Sequence, residues 1–240
     1  MTTFLDDLTA RQANSRIAAY FDLDRTLIAG YSVTALGWER VKSRSVPLRR
    51  ILSQLSVFLD YGLGRVQYQD LMQATMSDLA GITESEFVAL GERAYRNWLA
   101  GSIYQEGRKL ITAHRSLDHQ VVMVTSATRA QAAPIARNLG IEHLLCTELE
   151  IDNGRLTGGF DPCHGESKRR RTEAFAMGLG LPIEDAYFYS DSREDLPLLE
   201  VVGHPVATNA KSGLAKVALQ RAWTELQFSL RGEVRAEAAA

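Results

Sequence analysis

Short apolar runs recur along the chain, and each is followed by polar residues and then by a helix-like pattern. The three clearest runs cover residues 17–21, 121–124 and 186–189, and residues 204–208 form a weaker fourth. Continuous apolar runs of this length are typical of parallel strands that are buried on both faces within βα units. The pattern therefore predicts an α/β fold with a central parallel sheet flanked by helices.

Between the first two runs lies a segment of about seventy residues, 32–102, that carries several helical patterns but no strand signal. The clearest is TESEFVALGERAYRNWL, in which Thr83 and Glu86 have the spacing of a helix capping box. We interpret this segment as an α-helical domain inserted over the sheet. Farther along, Asn153 and Gly154 in LEIDNGRLTGGF predict the tight turn of a β-hairpin.

These patterns divide the chain into a core, an insert and two tails. Neither the first dozen nor the last ten residues show a sustained apolar period, so both ends are predicted to be frayed. The predicted boundaries are residues 1–15 for the N-terminal tail, 16–31 and 103–225 for the core domain, 32–102 for the helical cap domain and 226–240 for the C-terminal tail.

Composition narrows the class of protein and of partner. Of the 240 residues, 45% are hydrophobic, which is enough for one sizeable core with an inserted module. A formal net charge of −2 argues against a general nucleic-acid binder. No apolar run approaches the ~20 residues of a membrane span, and Asp6 and Asp7 interrupt the only N-terminal apolar patch. We therefore expect no integral membrane segment and no signal peptide, and the two cysteines, Cys146 and Cys163, favour a reducing cytoplasm.

The polar residues that follow the strands form, with one lysine, a coherent chemical set. They are Asp22, Asp24, Thr125, Ser126, Asp191 and Asp195, with Lys168 in the stretch CHGESKRRR. In α/β folds, chemistry is located at the carboxyl ends of the parallel strands. Two aspartates directly after a buried strand repel one another unless a cation or hydrogen-bond donors compensate. The carboxylates suit a hard, oxygen-preferring cation, and the hydroxyl and ammonium groups suit a phosphoryl group.

In their order along the chain, these residues resemble the four motifs of the haloacid dehalogenase (HAD) superfamily phosphatases. The matching residues are Asp22, Asp24 and Thr26 in DLDRT, then Thr125, then Lys168, then Asp191 with Asp195. The insert resembles the cap of the phosphoserine phosphatase-like branch, subfamily IB, over a Rossmann-like core. The stretches LIAGYS, GESK and YSDSREDLPLLEVVGHPVA are closer to the IB hydrolases that occur alone or fused to a lysophosphatidic-acid acyltransferase domain. No histidine has the aspartate five residues later that this acyltransferase needs, so we expect the hydrolase alone.

The resemblance implies a phosphatase that depends on Mg²⁺ and works through an aspartyl-phosphate. Asp22 would be the nucleophile, and Asp24 would protonate the leaving oxygen and later activate the hydrolytic water. The carboxylates of Asp22 and Asp191 and the backbone carbonyl of Asp24 would hold Mg²⁺, which offsets the repulsion between the carboxylates.

The remaining motif residues are implied to hold the phosphate and to support the site. Thr125, the backbone N–H of Ser126 and Lys168 would bind the phosphate oxygens, and Ser126 is an alternative to Thr125 as the main ligand. Asp195 would orient Lys168 or a metal-bound water, and Thr26 would support the turn. Because Lys168 lies in a run of basic residues, Arg169 is the alternative to it.

Three positions depart from the pattern of the phosphoserine phosphatases. Tyr31 stands where those enzymes have the glutamate that binds the substrate's amino group, and the other two departures are Ala127 and Glu194. They leave phosphatase chemistry intact and argue against serine recognition. In the first half of the cap, basic residues that include Arg44 are candidates for contact with an acidic substrate or a phospholipid headgroup, and a solvated helix face is the alternative.

The sequence thus predicts a phosphomonoester hydrolase for a small phosphorylated metabolite or a phospholipid-headgroup-like molecule, in a chain that is a monomer or a homodimer. The alternatives are a phosphoserine phosphatase proper, a phosphotransferase or mutase that uses the same intermediate, and a non-enzymatic phospho-acceptor module. Asp24 argues against the last of these, because a switch needs no general acid two residues after its acceptor.

Overall fold

A mostly parallel sheet organises the computed structural model, which describes residues 1–43 and 68–229. Its strands are β1 (Ala18–Phe21), β2 (Gln120–Thr128), β3 (His143–Asp152), β4 (Arg155–Asp161), β5 (Tyr187–Ser190), β6 (His204–Thr208) and β7 (Thr224–Leu226). In the described part of the chain the strand order is β4-β3-β2-β1-β5-β6-β7, and each neighbouring pair is parallel except the β3–β4 hairpin.

Helices cover both faces of this sheet. They are α1 (Thr2–Thr9), α2 (Ser32–Lys42), α3 (Tyr68–Ser77), α4 (Glu84–Ala94), α5 (Gln105–Ser116), α6 (Arg129–Asn138), α7 (Gly165–Gly178), α8 (Leu196–Leu199) and α9 (Ser212–Gln220), and a π-helical turn (Tyr95–Leu99) follows α4. Alternate residues of β1 enter different hydrophobic clusters, with Tyr20 on one face and Phe21 on the other. A strand buried on both faces is continuously apolar, as the sequence pattern indicated.

The predicted α/β class and the four predicted strands are confirmed, and so is the hairpin. Asn153 and Gly154 connect β3 to β4 with positive φ angles of 49° and 72°, the conformation that a tight hairpin turn requires. Strand β2 continues to Thr128 with a register shift against β3 after Val124. The polar residues 125 and 126 therefore lie within the strand and not after it.

The prediction of a frayed N-terminus is wrong for Thr2–Thr9, which form α1. Leu8 of this helix is buried, and the ring of Phe4 packs edge-on against Tyr189. One short apolar face is enough to dock a helix, although it is too short to show a sustained period in the sequence. The C-terminal end also extends farther than predicted, because Phe228 is buried beyond β7. The last ten residues lie outside the described residues.

The described parts of the insert form helices, with a turn at residues 78–83 between α3 and α4, and they pack directly on the core. Thr83 caps α4 as predicted: its Oγ1 accepts from the Glu86 N–H, and Glu86 Oε2 accepts from the Thr83 N–H. Gly91 of α4 lies so close to α6 that an added Cβ would stand 1.9 Å from the carbonyl oxygen of Ala130. No helix in the described ranges is long and apolar enough to cross a membrane.

A buried histidine pair lies against Tyr189 of β5. His114 is 0% exposed; its Nε2 is 2.7 Å from Tyr189 Oη, and its Nδ1 is 2.8 Å from Nδ1 of His119. Burial lowers the pKa of His114 to about 3 and also lowers the pKa of His119. Both rings are therefore neutral in the folded protein at neutral pH.

This burial predicts a stability loss in mild acid. Below its ordinary pKa, His114 binds a proton only in the unfolded chain, so stability falls as the pH drops from about 6.5 towards 3. We expect the difference in unfolding free energy between the wild type and His114→Gln to shrink by about 2 kcal/mol from pH 7.5 to pH 5. Urea denaturation at both pH values measures it. The control is Tyr189→Phe, which keeps the buried ring and so keeps the wild-type pH dependence; a difference for His114→Gln that is the same at both pH values contradicts the prediction.

Candidate active site

The predicted site residues meet at the carboxyl ends of β1, β2 and β5, around a cavity of about 340 Å³. The predicted residues that line it are Asp22, Asp24, Tyr31, Ser126, Lys168, Asp191 and Asp195, together with the departing positions Ala127 and Glu194. The structure thus brings together groups that are up to 173 residues apart in the chain. Arg44 lies outside the described residues.

Lys168 is the centre of the acidic cluster. It is 2% exposed, and its Nζ donates to Asp22 Oδ1 at 2.9 Å and to Asp195 Oδ2 at 2.8 Å. Ser190 Oγ donates to the same Asp195 oxygen at 2.6 Å, which fixes that carboxylate. Arg169, the alternative to Lys168, is partly buried and pairs with Glu166 and Glu173. The structure therefore places Lys168, and not Arg169, beside Asp22.

The charges in this cluster do not balance. Burial raises the pKa of Asp22 to about 8; Lys168 lowers it, and the neighbouring aspartates raise it further. Burial also raises the pKa of Asp24 to about 6. For Lys168, burial acts to lower the pKa, but the charges of Asp195 and Asp22 outweigh it and hold the pKa above its ordinary value. A further positive charge among the carboxylates would relieve this imbalance.

Two cations that the sequence analysis did not single out hold Asp191. Arg25 Nε donates to Asp191 Oδ2 at 2.8 Å, and Lys211 Nζ lies 3.3 Å from the same oxygen. Burial raises the pKa of Asp191, while Lys211 and Arg25 lower it in part. Arg25 has a φ of 62°, and Asn209 Nδ2 donates to its carbonyl oxygen, so the turn is fixed from β6. Lys211 comes shortly after the fourth apolar run, residues 204–208. A search for charged residues after that predicted strand would have identified it.

The two hydroxyl candidates in β2 face different ways. Thr125 is buried, and its Oγ1 accepts from the backbone N–H of Ala127 at 3.1 Å, so it shapes the strand end. Ser126 lines the cavity itself. Thr26 is fully buried, and within the described part of the chain its hydroxyl has no hydrogen-bond partner. Thr26 Oγ1 therefore makes no hydrogen bond to the turn within those residues.

Side chains of α2 and α3 line one side of the cavity, where apolar residues lie beside the hydroxyl residues Ser32, Thr34 and Thr75. Met72 and Met76 of α3 and Val33 of α2 line it, and Tyr31, which is 40% exposed, stands at its rim. The ammonium of Lys211 lies 5.4 Å from the centre of the Tyr31 ring. This rim therefore presents an aromatic surface and a positive charge.

The donor set fits a hard divalent cation. Within the described ranges, no three His, Cys, Asp or Glu side chains form a ready metal cage. The cavity offers the carboxylates of Asp22 and Asp191 and the main chain at Asp24, which are all oxygen donors. Mg²⁺ is commonly bound by one or two carboxylates and completes its shell with water and phosphate oxygens, so these residues fit Mg²⁺ better than zinc.

The fold and the cavity define a Rossmann-like α/β protein with carboxylates and a buried lysine at its strand ends. The family of haloacid dehalogenase-like hydrolases matches residues 19–200 of this chain. The protein belongs to that family, and the membership predicted from the motifs is confirmed; the subfamily IB resemblance is consistent with the phosphoserine phosphatases among its relatives.

Several relatives are similar over nearly the whole chain. A Mycobacterium tuberculosis protein named probable phosphatase is 33% identical over 236 residues, which are 94% of this chain and 82% of the relative. A phosphoserine phosphatase of the same organism is 32% identical over 93% of this chain and 72% of its own. A histidinol-phosphatase of Neisseria meningitidis is 29% identical over 88% of this chain and 98% of its own.

Solved structures share the fold. A Bordetella pertussis protein of unknown function superimposes with a TM-score of 0.80 at 29% identity, covering 89% of this chain and 99% of that one. A phosphoserine phosphatase, solved as a phospho-aspartyl intermediate analogue, gives a TM-score of 0.66 at 16% identity and covers 92% and 96% of the two chains. The latter likeness is evidence for the fold alone.

The buried lysine generates a prediction about stability. Lys168→Met leaves the carboxylates of Asp22 and Asp195 buried without their ammonium, so we expect a loss of about 3–5 kcal/mol in unfolding free energy. Adding Asp22→Asn to this variant removes one unpaired carboxylate and restores part of the loss. Urea denaturation in EDTA at pH 7.5 measures both changes.

Arg169→Met is the matched control. It removes the neighbouring basic side chain, whose partner Glu166 is half exposed, and we expect a change of no more than about 1 kcal/mol. Equal losses for the two methionine variants, or a further loss on adding Asp22→Asn, would contradict the central position of Lys168.

Proposed function

We propose that the protein is a Mg²⁺-dependent phosphatase that hydrolyses a small phosphomonoester through an aspartyl-phosphate on Asp22. The observation that carries the proposal is the 2.9 Å contact between Lys168 Nζ and Asp22 Oδ1 in a cavity that Asp24 also lines. It is supported by the phosphatases among the relatives. The same cavity supplies a nucleophile, a second carboxyl group and a phosphate-binding cation.

In the first step, a carboxylate oxygen of Asp22 attacks phosphorus in line with the leaving group. The bond between phosphorus and the substrate oxygen breaks, and Asp24 gives its proton to that oxygen. Lys168 contacts the Asp22 carboxylate and so holds it in one orientation, and its ammonium neutralises charge on the phosphoryl oxygens. Asp195 in turn fixes the position of Lys168.

In the second step, Asp24 acts as a base. It accepts a proton from a water molecule, whose oxygen attacks phosphorus and releases inorganic phosphate and the free carboxylate of Asp22. Ser126, and Thr125 through the strand end that it shapes, are the proposed contacts for the phosphate oxygens.

Asp22, Asp191 and the backbone carbonyl of Asp24 are the proposed Mg²⁺ ligands. When bound, Mg²⁺ supplies positive charge that offsets the repulsion between the carboxylates and the substrate phosphate. Arg25, from the turn after β1, and Lys211, which follows β6, hold the Asp191 carboxylate and so keep it at the cavity.

The rim of the cavity indicates the class of substrate. Tyr31 and the nearby Lys211 ammonium offer an aromatic ring and a positive charge, where the resembling phosphoserine phosphatases place a carboxylate for the substrate's amino group. Met72 and Met76 add apolar surface. We propose a substrate whose alcohol part is neutral or anionic and carries an apolar or aromatic portion.

The domain boundaries and the location of the protein stay predictions. The core of residues 16–31 and 103–225 with a cap of residues 32–102 is supported by the helices α2, α3 and α4 of the insert. A cytoplasmic location is supported by the two cysteines, Cys146 and Cys163, which are free and buried.

Release of inorganic phosphate tests the function. We expect the protein to release phosphate from p-nitrophenyl phosphate and from small phosphomonoesters, to lose this activity in EDTA and to regain it with Mg²⁺. Asp22→Asn should lower turnover by about 10⁴-fold or more, because it removes the nucleophile. Full activity after exhaustive chelation excludes the mechanism, and more than a tenth of the activity in Asp22→Asn excludes the nucleophile.

The nature of the rim predicts the response to phosphoserine. We expect O-phosphoserine to be no better a substrate than glycerol phosphate, and Tyr31→Glu to shift the ratio of kcat/KM values towards phosphoserine. A charge-assisted hydrogen bond to an ammonium group is typically worth ~1.5–3 kcal/mol. Because Lys211 offsets part of the new charge, we expect the shift near the lower end of that range, about tenfold.

Tyr31→Gln is the matched control, since it places a polar but uncharged side chain at the same position and should leave the ratio nearly unchanged. The two kcat/KM values are measured on all three proteins at one Mg²⁺ concentration. A wild type that prefers phosphoserine tenfold or more would make the protein a phosphoserine phosphatase with an unusual site for the amino group.

A further inference from the structure

A buried chain of hydrogen bonds leads from the start of α6 to the carboxylate of Asp24. Gln131 Nε2 lies 3.3 Å from Ser32 Oγ, and Ser32 Oγ lies 3.2 Å from Asp24 Oδ2. At its other end, Gln131 Oε1 accepts from the backbone N–H of Thr128 at 2.9 Å and from its hydroxyl at 2.7 Å. Ser32, Gln131 and Thr128 are all buried. Solvent therefore has little access to these bonds, although Ser32 and Gln131 border the cavity.

When Asp24 is ionised, chemistry fixes the direction of every bond in this chain. The backbone N–H of Thr128 can only donate, so it must face the amide oxygen of Gln131. The amide nitrogen of Gln131 then faces Ser32 and donates to its Oγ. Ser32 Oγ has one proton of its own, and this proton points to Asp24 Oδ2.

The backbone holds the other oxygen of the same carboxylate. The N–H of Ser32 donates to Asp24 Oδ1 at 2.7 Å, so a single residue contacts both oxygens of Asp24. Two bonds from one residue fix the plane of a carboxylate as well as its position. Asp24 therefore has one orientation towards the cavity, and Gln131 selects it through Ser32.

We propose that Ser32 and Gln131 are positioning residues that orient the Asp24 carboxyl group for proton transfer to the leaving oxygen and from water. The inference rests on the proposed function, because it assigns a means of alignment to the acid and base named there. General acid and base catalysis needs a heavy-atom distance of about 2.6–3.2 Å to the proton that moves, so a carboxyl group that rotates freely loses much of its effect.

Gln131 is suited to this role by its residue type. It is the third residue of α6, the position at which a capping box places glutamate or glutamine. A glutamate would cap Thr128 equally well, but it would present an acceptor to Ser32. The Ser32 proton would then turn towards residue 131 and away from Asp24. Gln131→Glu is therefore expected to keep the helix start and to lose the alignment.

A comparison of two substrates with different leaving groups distinguishes a loss of Asp24 alignment from a general structural defect. Glycerol phosphate needs a proton on its leaving oxygen, whereas p-nitrophenyl phosphate does not. In Ser32→Ala and in Gln131→Glu we expect kcat with glycerol phosphate to fall by about 10–100-fold, which is below the full effect of a general acid because the Ser32 N–H remains. With p-nitrophenyl phosphate, phosphorylation of Asp22 should change less than threefold, and slower dephosphorylation should produce a burst of p-nitrophenol.

Three further variants complete the experiment. Ser32→Thr keeps both donors. It should restore the wild-type ratio between kcat with glycerol phosphate and the rate of Asp22 phosphorylation with p-nitrophenyl phosphate. Glu86→Gln and Ser116→Ala are the matched controls, because they alter a capping box on α4 and a helix hydroxyl on α5 that lie outside this chain of bonds. Both should leave the ratio unchanged. Urea denaturation of each variant shows whether it is folded. If Ser32→Ala does not fold, Gln131→Glu alone tests the proposal.

Equal losses on the two substrates, without a burst, would overturn the positioning role and leave the proposed function standing. A wild type that releases no phosphate from either substrate would instead refute the proposed function, and the inference with it. A changed ratio in Ser32→Ala and Gln131→Glu, with recovery in Ser32→Thr, would establish the alignment of Asp24.

Discussion

The burial of one ammonium group among several carboxylates is the interaction on which the rest of this site depends. Lys168 contacts Asp22 and Asp195 in a region from which water is largely excluded. Removing charges from water is costly, and such a pair persists only when its geometry is good and its remaining atoms are bonded. Ser190 supplies that bond for Asp195. Replacing all of these charged side chains together by apolar ones is often neutral for stability, whereas removing one of them is costly. Stability alone therefore does not account for the cluster.

The cations of the site come from separate elements of the core, and the topology of the sheet brings them together. Lys168 belongs to α7, Arg25 to the turn after β1, and Lys211 to the start of α9 after β6. Parallel strands place the connections after β1 and β6 at the same edge of the sheet, and the antiparallel β3–β4 hairpin returns the chain towards that edge before α7. No local segment of the chain contains the set, so the fold must form before the carboxylates acquire their partners.

The sequence predicted the elements whose signals are local and strong. Continuous apolar runs predicted β1, β2, β5 and β6, and the capping-box spacing predicted the start of α4 at Thr83. Helix α1 was missed because its apolar face is only two turns long, and its stability comes from docking against Tyr189. Ordered motifs predicted the acidic residues of the site. Arg25 was missed because the role of a side chain within a turn depends on its φ angle, which the sequence does not show.

The position of the insert links the proposed substrate-contacting wall of the cavity to the proposed acid and base, Asp24. Ser32 is the first residue of α2 and lies only eight residues after Asp24, so the insert begins at the carboxyl group that is proposed to move the proton. Helix α6 of the core meets the same point through Gln131. Met72 and Met76, which line the cavity from α3, lie far from this junction in sequence. The cavity wall can therefore change with the substrate, whereas a displacement at the root of the insert would misalign Asp24 directly.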